Sequence, residues 1–264
     1  MSGLNAREKS TPPVLAVAHR GGAAIAPENT LGAFRQALGL GVDMVECDVH
    51  LSKEGEVVIL HDPELSRTSD GRGPVGELTL PQLRKLNAAS RFQAGNWPAE
   101  PIPTLAELLD LTRGLAQVQI EIKVSKNGER YPGIEEKVVE LVRRRALVGK
   151  VLIICFDFPT LVEVKRLDPR FKTGALVEKS WMAANAYKPY ERIVAEVAEE
   201  TGADYFMPPL SAVAEALVRA VHSRGLKIGV WVVNTEEEMR QLAGWGVDAI
   251  TSDHPDLLLR VLGR

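Results

Sequence analysis

Nine short apolar runs, most of them rich in β-branched residues, recur along the chain with amphipathic stretches between them. They lie near 15–20, 44–51, 57–62, 117–123, 151–157, 172–178, 204–209, 228–234 and 248–252. Strand runs that alternate with helical patterns predict βαβ units and a parallel sheet. Nine is one too many for a closed eight-stranded barrel, and one connector singles out the exception. Between His50 and Glu56 there is only Leu51-Ser52-Lys53-Glu54-Gly55, too short for a parallel crossover of about a dozen residues. That length suits a hairpin with Gly55 at a positive φ. The run 57–62 is therefore predicted to return antiparallel, and the remaining eight predict an α/β fold, one (β/α)8 TIM barrel. Folding back near residue 54 also brings His61 roughly opposite Glu46 and Cys47.

Helices are predicted over 30–40, opened by Asn29 or Thr30, and over 104–113, 133–147, 190–201, 211–224, 235–244 and 254–262. Residues 63–103 break this rhythm with Pro63, Pro74, Pro81, Pro98, Pro101 and Pro103. They are expected to form an insertion over the carboxyl face, with one helix at 79–87. A chain of 264 residues without a Pro/Gly/Ser-rich linker is expected to form a single catalytic domain over 1–264. Its 32 basic and 35 acidic residues are interspersed, for a net charge of -3. This offers no footprint for nucleic acid or an anionic membrane, so a small solute is the expected partner. Met1 to Pro13 is polar and lacks an apolar segment with a cleavage site, and no run approaches the ~18 apolar residues of a membrane span. A soluble, cytoplasmic protein is expected, without membrane insertion. Cys47 and Cys155 fall inside apolar strand runs, where buried free thiols are expected. The outer helices mix apolar and charged positions as monomers and dimers both do, and carry no reading of oligomeric state.

The chemistry gathers where strands end. His19 and Arg20 close the first run, Glu46 and Asp48 the second, His61 and Asp62 the returning arm, and Glu121 and Lys123 the fourth. In a parallel barrel these ends share one face. Glu46 and Asp48 are two apart on a strand and project the same way, with Glu121 on a neighbouring strand. Three carboxylates so close repel one another unless a cation joins them. Oxygen-only ligands favour one divalent ion, Mg²⁺ or Ca²⁺, over zinc. The alternative is a buried ion network with Arg20 and Lys123. Those two cations and a metal would describe an anion pocket that suits phosphate. His19 and His61 are then candidates for general acid and base. His50, His222 and His254 lack that setting and are expected to be structural or solvated. Asp62 could orient His61 or cap the following turn, and Glu28 could simply favour a helix N-terminus.

In this order the residues resemble the glycerophosphodiester phosphodiesterase family. The matching stretches are His19-Arg20-Gly21, Pro27-Glu28-Asn29-Thr30, Glu46-Cys47-Asp48-Val49, His61-Asp62-Pro63, and Arg67-Thr68 through Asp70-Gly71. Further on come Ile102-Pro103-Thr104-Leu105, Ile120-Glu121-Ile122-Lys123, Trp231-Val232-Val233-Asn234, and Thr251-Ser252-Asp253 before Pro255. The resemblance runs from about 15 to 257. It implies a phospholipase-C-like TIM barrel that hydrolyses a glycerophosphodiester to sn-glycerol 3-phosphate and an alcohol. It further implies Glu46, Asp48 and Glu121 as metal ligands, His19 and His61 as the acid-base pair with His19 the base, and Arg20 and Lys123 on the phosphate. Trp231, and Phe156 with it, would supply an apolar wall, and residues 63–103 the insertion shaping the substrate mouth. The polar N-terminus looks like the cytoplasmic bacterial members. Cys155 stands where a serine is common in the family, and Ala249 where glycine is frequent. Two rivals differ in what they demand: a lysophospholipid-type phosphodiesterase needs an apolar lip, and a non-catalytic phosphometabolite-binding barrel needs no histidine pair.

Overall fold

Alternation of side chains along each strand sorts the apolar runs into two faces. In the computed structural model, which describes residues 13–264, that sorting closes a barrel. Residues 1–12, on which the expectation of a missing leader mostly rested, lie outside the described residues. The strands are β1 (Leu15–Ala18), β2 (Met44–Leu51), β3 (Val57–Ile59), β4 (Gln117–Ile122), β5 (Val151–Cys155), β6 (Lys172–Leu176), β7 (Tyr205–Met207), β8 (Lys227–Val230) and β9 (Ala249–Ser252). All neighbours pair in parallel except β3, and β1 pairs with both β9 and β2, which closes the ring of eight. The inward set Val17, Met44, Leu152, Ile154, Leu176, Tyr205, Met207 and Ala249 fills the lumen. Their outward neighbours, among them Val45, Cys47, Ile120, Ile153 and Ile250, join the larger core under the helices.

The short connector behaves as its length requires. Gly55 has φ +86° and its N–H donates to the Ser52 carbonyl at 2.9 Å. β3 then runs back along β2 with Val49 opposite Ile59 and Leu51 opposite Val57. Val49 is also registered with Ile122 of β4, so β3 and β4 occupy opposite edges of β2. Val57 and Ile59 join the main core, whereas Val58 and Leu60 face Leu65, Val75, Leu83 and Ile102 in a small separate core. That small core ties the irregular residues 60–103 to the barrel, and so fixes the backbone that carries His61.

The helices are α1 (Leu31–Leu40), α2 (Leu80–Leu83), α3 (Leu105–Thr112), α4 (Ile134–Arg144), α5 (Phe158–Leu167), α6 (Lys179–Ala184), α7 (Tyr190–Thr201), α8 (Glu215–Ser223), α9 (Glu236–Trp245) and α10 (Pro255–Val261). Thr30 caps α1, accepting from the Ala33 N–H at 3.1 Å. The helix expected at 79–87 is the single turn α2, with Leu83 its one buried side chain. That expected over 211–224 starts only at Glu215, after a 3₁₀ turn at Leu210–Ala212. α5 and α6 fill gaps where the sequence reading named no helix. α5 buries only Thr160, Leu161 and Val164, a narrow stripe, but Asp157 caps it by accepting from the Thr160 N–H at 3.0 Å. Among the described residues no helix is long and apolar enough to cross a membrane. Both cysteines are free and buried, as expected.

Just past β1 the chain makes a 3₁₀ turn, His19–Gly21, in which Arg20 has φ +51° and Gly21 φ +83°. A Cβ on Gly21 would lie 2.8 Å from Ala33 Cβ on α1. Gly21→Ala therefore combines a left-handed backbone with a clash, and is expected to destabilise the fold by roughly 1–3 kcal/mol. A thermal melt checks this, and an unchanged midpoint would show that the turn relaxes freely.

Candidate active site

Four chain segments deliver the charged side chains to the carboxyl end of the lumen. His19 and Arg20 come from the turn after β1, Glu46 and Asp48 from β2, His61 from the arm after β3, and Glu121 with Lys123 from β4 and its end. Asp48 is registered with Glu121 across β2 and β4. The three carboxylates offer oxygens within 4.8 Å of one another. His19, Arg20, Glu46, His61, Glu121 and Lys123 line one cavity of about 170 Å³. Ile154, Phe156, Leu176 and Trp231 supply its apolar wall. Phe156 meets Trp231 edge to face at 5.4 Å, and the Trp231 Nε1 donates to the Met207 carbonyl at 2.9 Å. The structure thus brings together the two histidines, Arg20, Lys123, Trp231 and the three carboxylates expected from the sequence, Asp48 through the carboxylate cluster rather than the cavity lining.

The buried ion network weighed as the alternative is present for two of the carboxylates. Asp48, 1% exposed, faces Lys123 Nζ at 3.0 Å and Arg20 Nε at 3.3 Å, and accepts from Asn29 Nδ2 at 2.8 Å. Burial alone would raise its pKa, but Lys123 and Arg20 hold it well below the usual carboxylate range. Lys123 also contacts Glu121 Oε1 at 2.5 Å. Burial works against the Lys123 ammonium, yet Asp48 and Glu121 keep it charged. Glu46 differs. It accepts from the Arg20 backbone N–H at 2.8 Å but has no ion pair among the described residues. Burial and the neighbouring Asp48 charge push it up to about 8, and burial likewise raises Glu121. A buried carboxyl so displaced, beside two more carboxylates, fits a divalent cation, which would favour its charged form.

His19 and His61 are each tethered by Nδ1 to an aspartate, which leaves Nε2 for a ligand. His19 Nδ1 lies 2.6 Å from Asp253, whose other oxygen accepts from Asn234 Nδ2 at 2.7 Å. His61 Nδ1 lies 2.6 Å from Asp62. Burial works against charge on both rings. For His19 it is outweighed by Asp253 and Glu46, so that its pKa is raised. For His61 burial prevails, reinforced by Lys123 and Arg20, and its pKa is lowered. His50 is held neutral by burial, its pKa pushed down to about 4, and its Nε2 lies 3.1 Å from the His61 carbonyl as a brace. His222 pairs with Asp248 outside the site.

Some functional neighbours escaped the sequence reading. Asp253 received no role, although it continues the inward period of Ala249 and Thr251. Asp62 does orient His61, and it is held in turn by Arg67 Nε at 2.5 Å. Arg67 also grips Glu28 with both Nη atoms, at 2.8 and 2.7 Å, and Glu28 accepts from Arg20 Nη1 at 2.9 Å. Glu28 is thus a link between two arginines rather than only a charge at a helix start. Through it, residues 60–103 are clamped to the turn after β1.

Residues 19–257 match the Glycerophosphoryl diester phosphodiesterase family. A glycerophosphodiester phosphodiesterase of Bacillus subtilis is 34% identical over 261 residues, 94% of this chain and 86% of that protein. One from Caldanaerobacter subterraneus subsp. tengcongensis is 32% identical over 250 residues, 95% of this chain and 98% of its own length. A phosphodiesterase from Oleispira antarctica, solved with the product sn-glycerol-3-phosphate, superposes with a TM-score of 0.77 at 27% identity, covering 96% of this chain and 98% of that one. With a closed barrel of this topology and a family match over nearly its whole length, the chain belongs to the glycerophosphoryl diester phosphodiesterase family of hydrolases.

Proposed function

We propose that the protein hydrolyses small, water-soluble glycerophosphodiesters to sn-glycerol 3-phosphate and an alcohol, as one catalytic domain over 1–264. The observation that carries this is the pair of histidines, each anchored through Nδ1 to an aspartate, in one cavity with a three-carboxylate cluster. The relatives' names and the product held by the Oleispira antarctica enzyme support the substrate class. Glu46, Asp48 and Glu121 would hold one Mg²⁺ or Ca²⁺. When bound, that ion supplies positive charge for the non-bridging phosphate oxygens.

The chain's own residues do the rest. Arg20 and Lys123 receive the phosphate, Arg20 with a planar fork and Lys123 with a point charge. One histidine takes a proton from the nucleophile, either water or the glycerol 2-hydroxyl, and the other gives one to the departing alkoxide; the 2-hydroxyl route leaves a cyclic phosphate that water then opens to sn-glycerol 3-phosphate. His61 with its lowered pKa is the ring more readily neutral at pH 7 and His19 the one more readily protonated, the reverse of the assignment the resemblance implies, in which His19 is the base. Trp231 and Phe156 shield the site from water on one side.

A lysophospholipid substrate would need an apolar lip. Phe92 and Trp97 instead pack edge to face on each other at 6.0 Å, and of the exposed large apolar side chains among the described residues Phe156 alone lines the cavity. Glycerophosphocholine is therefore expected to turn over well and lysophosphatidylcholine poorly in a choline-release assay. The reverse order would replace this reading with the lipid one.

Arg67 tests the clamp. Arg67→Ala frees Asp62 and Glu28 together, and so the orientation of His61 and Arg20. It is expected to lower kcat about ten- to a hundredfold. Arg67→Lys, which keeps the charge but loses the fork, should recover only part of that. Wild-type kinetics in both variants would remove the clamp from the account.

A further inference from the structure

Gln119 and Thr251 are polar side chains deep in the barrel lumen that the acid-base and metal chemistry does not use. Gln119 is 2% exposed and Thr251 1%. Both line the site cavity, and neither Gln119 Oε1 nor Thr251 Oγ1 has a hydrogen-bond partner. Buried polar atoms are ordinarily paired, and an unpaired one is costly enough to require a reason. The two come from different strands, β4 and β9, so no local turn accounts for them. Each lies one inward position below the charged rim: Gln119 below Glu121, and Thr251 below Asp253. Two residues of strand correspond to about 6.6 Å.

We propose that Gln119 and Thr251 form a hydroxyl-binding floor that takes the terminal hydroxyl of the substrate's glycerol unit. This rests on the phosphodiesterase reading above. With the phosphate at Arg20 and Lys123 on the rim, a three-carbon polyol extends downward with its carbons against Ile154, Leu176 and Trp231. Its far hydroxyl then meets an amide that can accept and a threonine hydroxyl that can donate or accept. A propyl chain in the same position leaves both protein atoms unpaired, so the floor selects against it. Specificity for glycerol over other alcohols on phosphorus thereby comes from the lumen, beneath the catalytic groups.

The test compares sn-glycerol 3-phosphate with n-propyl phosphate as competitive inhibitors of choline release from glycerophosphocholine, using the full chain. Wild type should bind sn-glycerol 3-phosphate about tenfold or more tightly than propyl phosphate. Gln119→Leu and Thr251→Val should each shrink that ratio to a few-fold, while Thr251→Ser, which restores the hydroxyl, should preserve it. Taking the ratio within each variant cancels any loss of folded fraction, and Thr251→Val is nearly isosteric should Gln119→Leu fold poorly. A ratio unchanged in both variants overturns the floor while leaving the phosphodiesterase reading intact. Inhibition of wild type by neither phosphate overturns the floor alone, and no choline release by wild type overturns both.

Discussion

His19→Ala and His61→Ala are each expected to lower kcat for glycerophosphocholine by about 10²–10⁴-fold with little change in melting temperature. Each ring makes one side-chain hydrogen bond, to Asp253 or Asp62, and is partly exposed to the cavity. Removing it therefore costs chemistry far more than packing. The double variant should be little worse than either single one, because the two rings act in one proton-transfer cycle. The pH profile of kcat/KM should be a bell, with one limb from each ring. Activity falls on the acid side as His61, lowered by burial, takes up a proton. It falls on the alkaline side as His19, raised by its hydrogen bond to Asp253 against burial, loses one. Asp253→Asn removes the charge that holds His19 up, and should move the alkaline limb down. A profile with a single limb would contradict the paired roles.

The second large effect concerns the carboxylates, which should separate cleanly by partner. Asp48→Ala strands Lys123 and Arg20 in a buried setting, and is expected to destabilise the fold by about 3–5 kcal/mol. Glu46→Gln breaks no ion pair among the described residues and should leave the metal-free protein about as stable as wild type. It should nevertheless abolish the rise in melting temperature on adding Mg²⁺ or Ca²⁺. The sign with pH follows from Glu46, raised to about 8. The metal-free native state keeps a proton there that the unfolded chain loses above about 4.3, so this group's contribution to stability falls from that pH up to about 8. A cation must displace that proton, so the melting-temperature gain on adding metal should grow across the same window. Melts at pH 6 and pH 8, with metal and with chelator, measure both effects. A gain that shrinks toward pH 8, or that survives Glu46→Gln, would remove Glu46 from the metal site.

The barrel was legible because each part of it has a local signature. The five-residue connector after His50 forces β3 antiparallel, and the period-2 spacing of Glu46 and Asp48 puts them on one face of their strand whatever the neighbouring strands do. The carboxylate cluster and both histidines could be read for the same reason, since a charge in an apolar strand has few explanations. α5 was harder to see because it shows only a narrow buried stripe along ten residues. The aspartate behind His19 lies 234 positions away, and nothing local marks it except its place one residue past β9. Arg67 and Glu28 are 39 apart in ordinary polar stretches. Their partnership exists only because the small core beneath residues 60–103 docks that segment onto the turn after β1.

The most direct measurement is release of sn-glycerol 3-phosphate from glycerophosphocholine by wild type, His19→Ala and Glu46→Ala, in Mg²⁺ or Ca²⁺, in chelator, and after the metal is restored. The account predicts release by wild type that disappears with chelator, returns with metal, and is lost in both variants. Undiminished release in chelator or from Glu46→Ala, or no release by wild type with either ion, would contradict it.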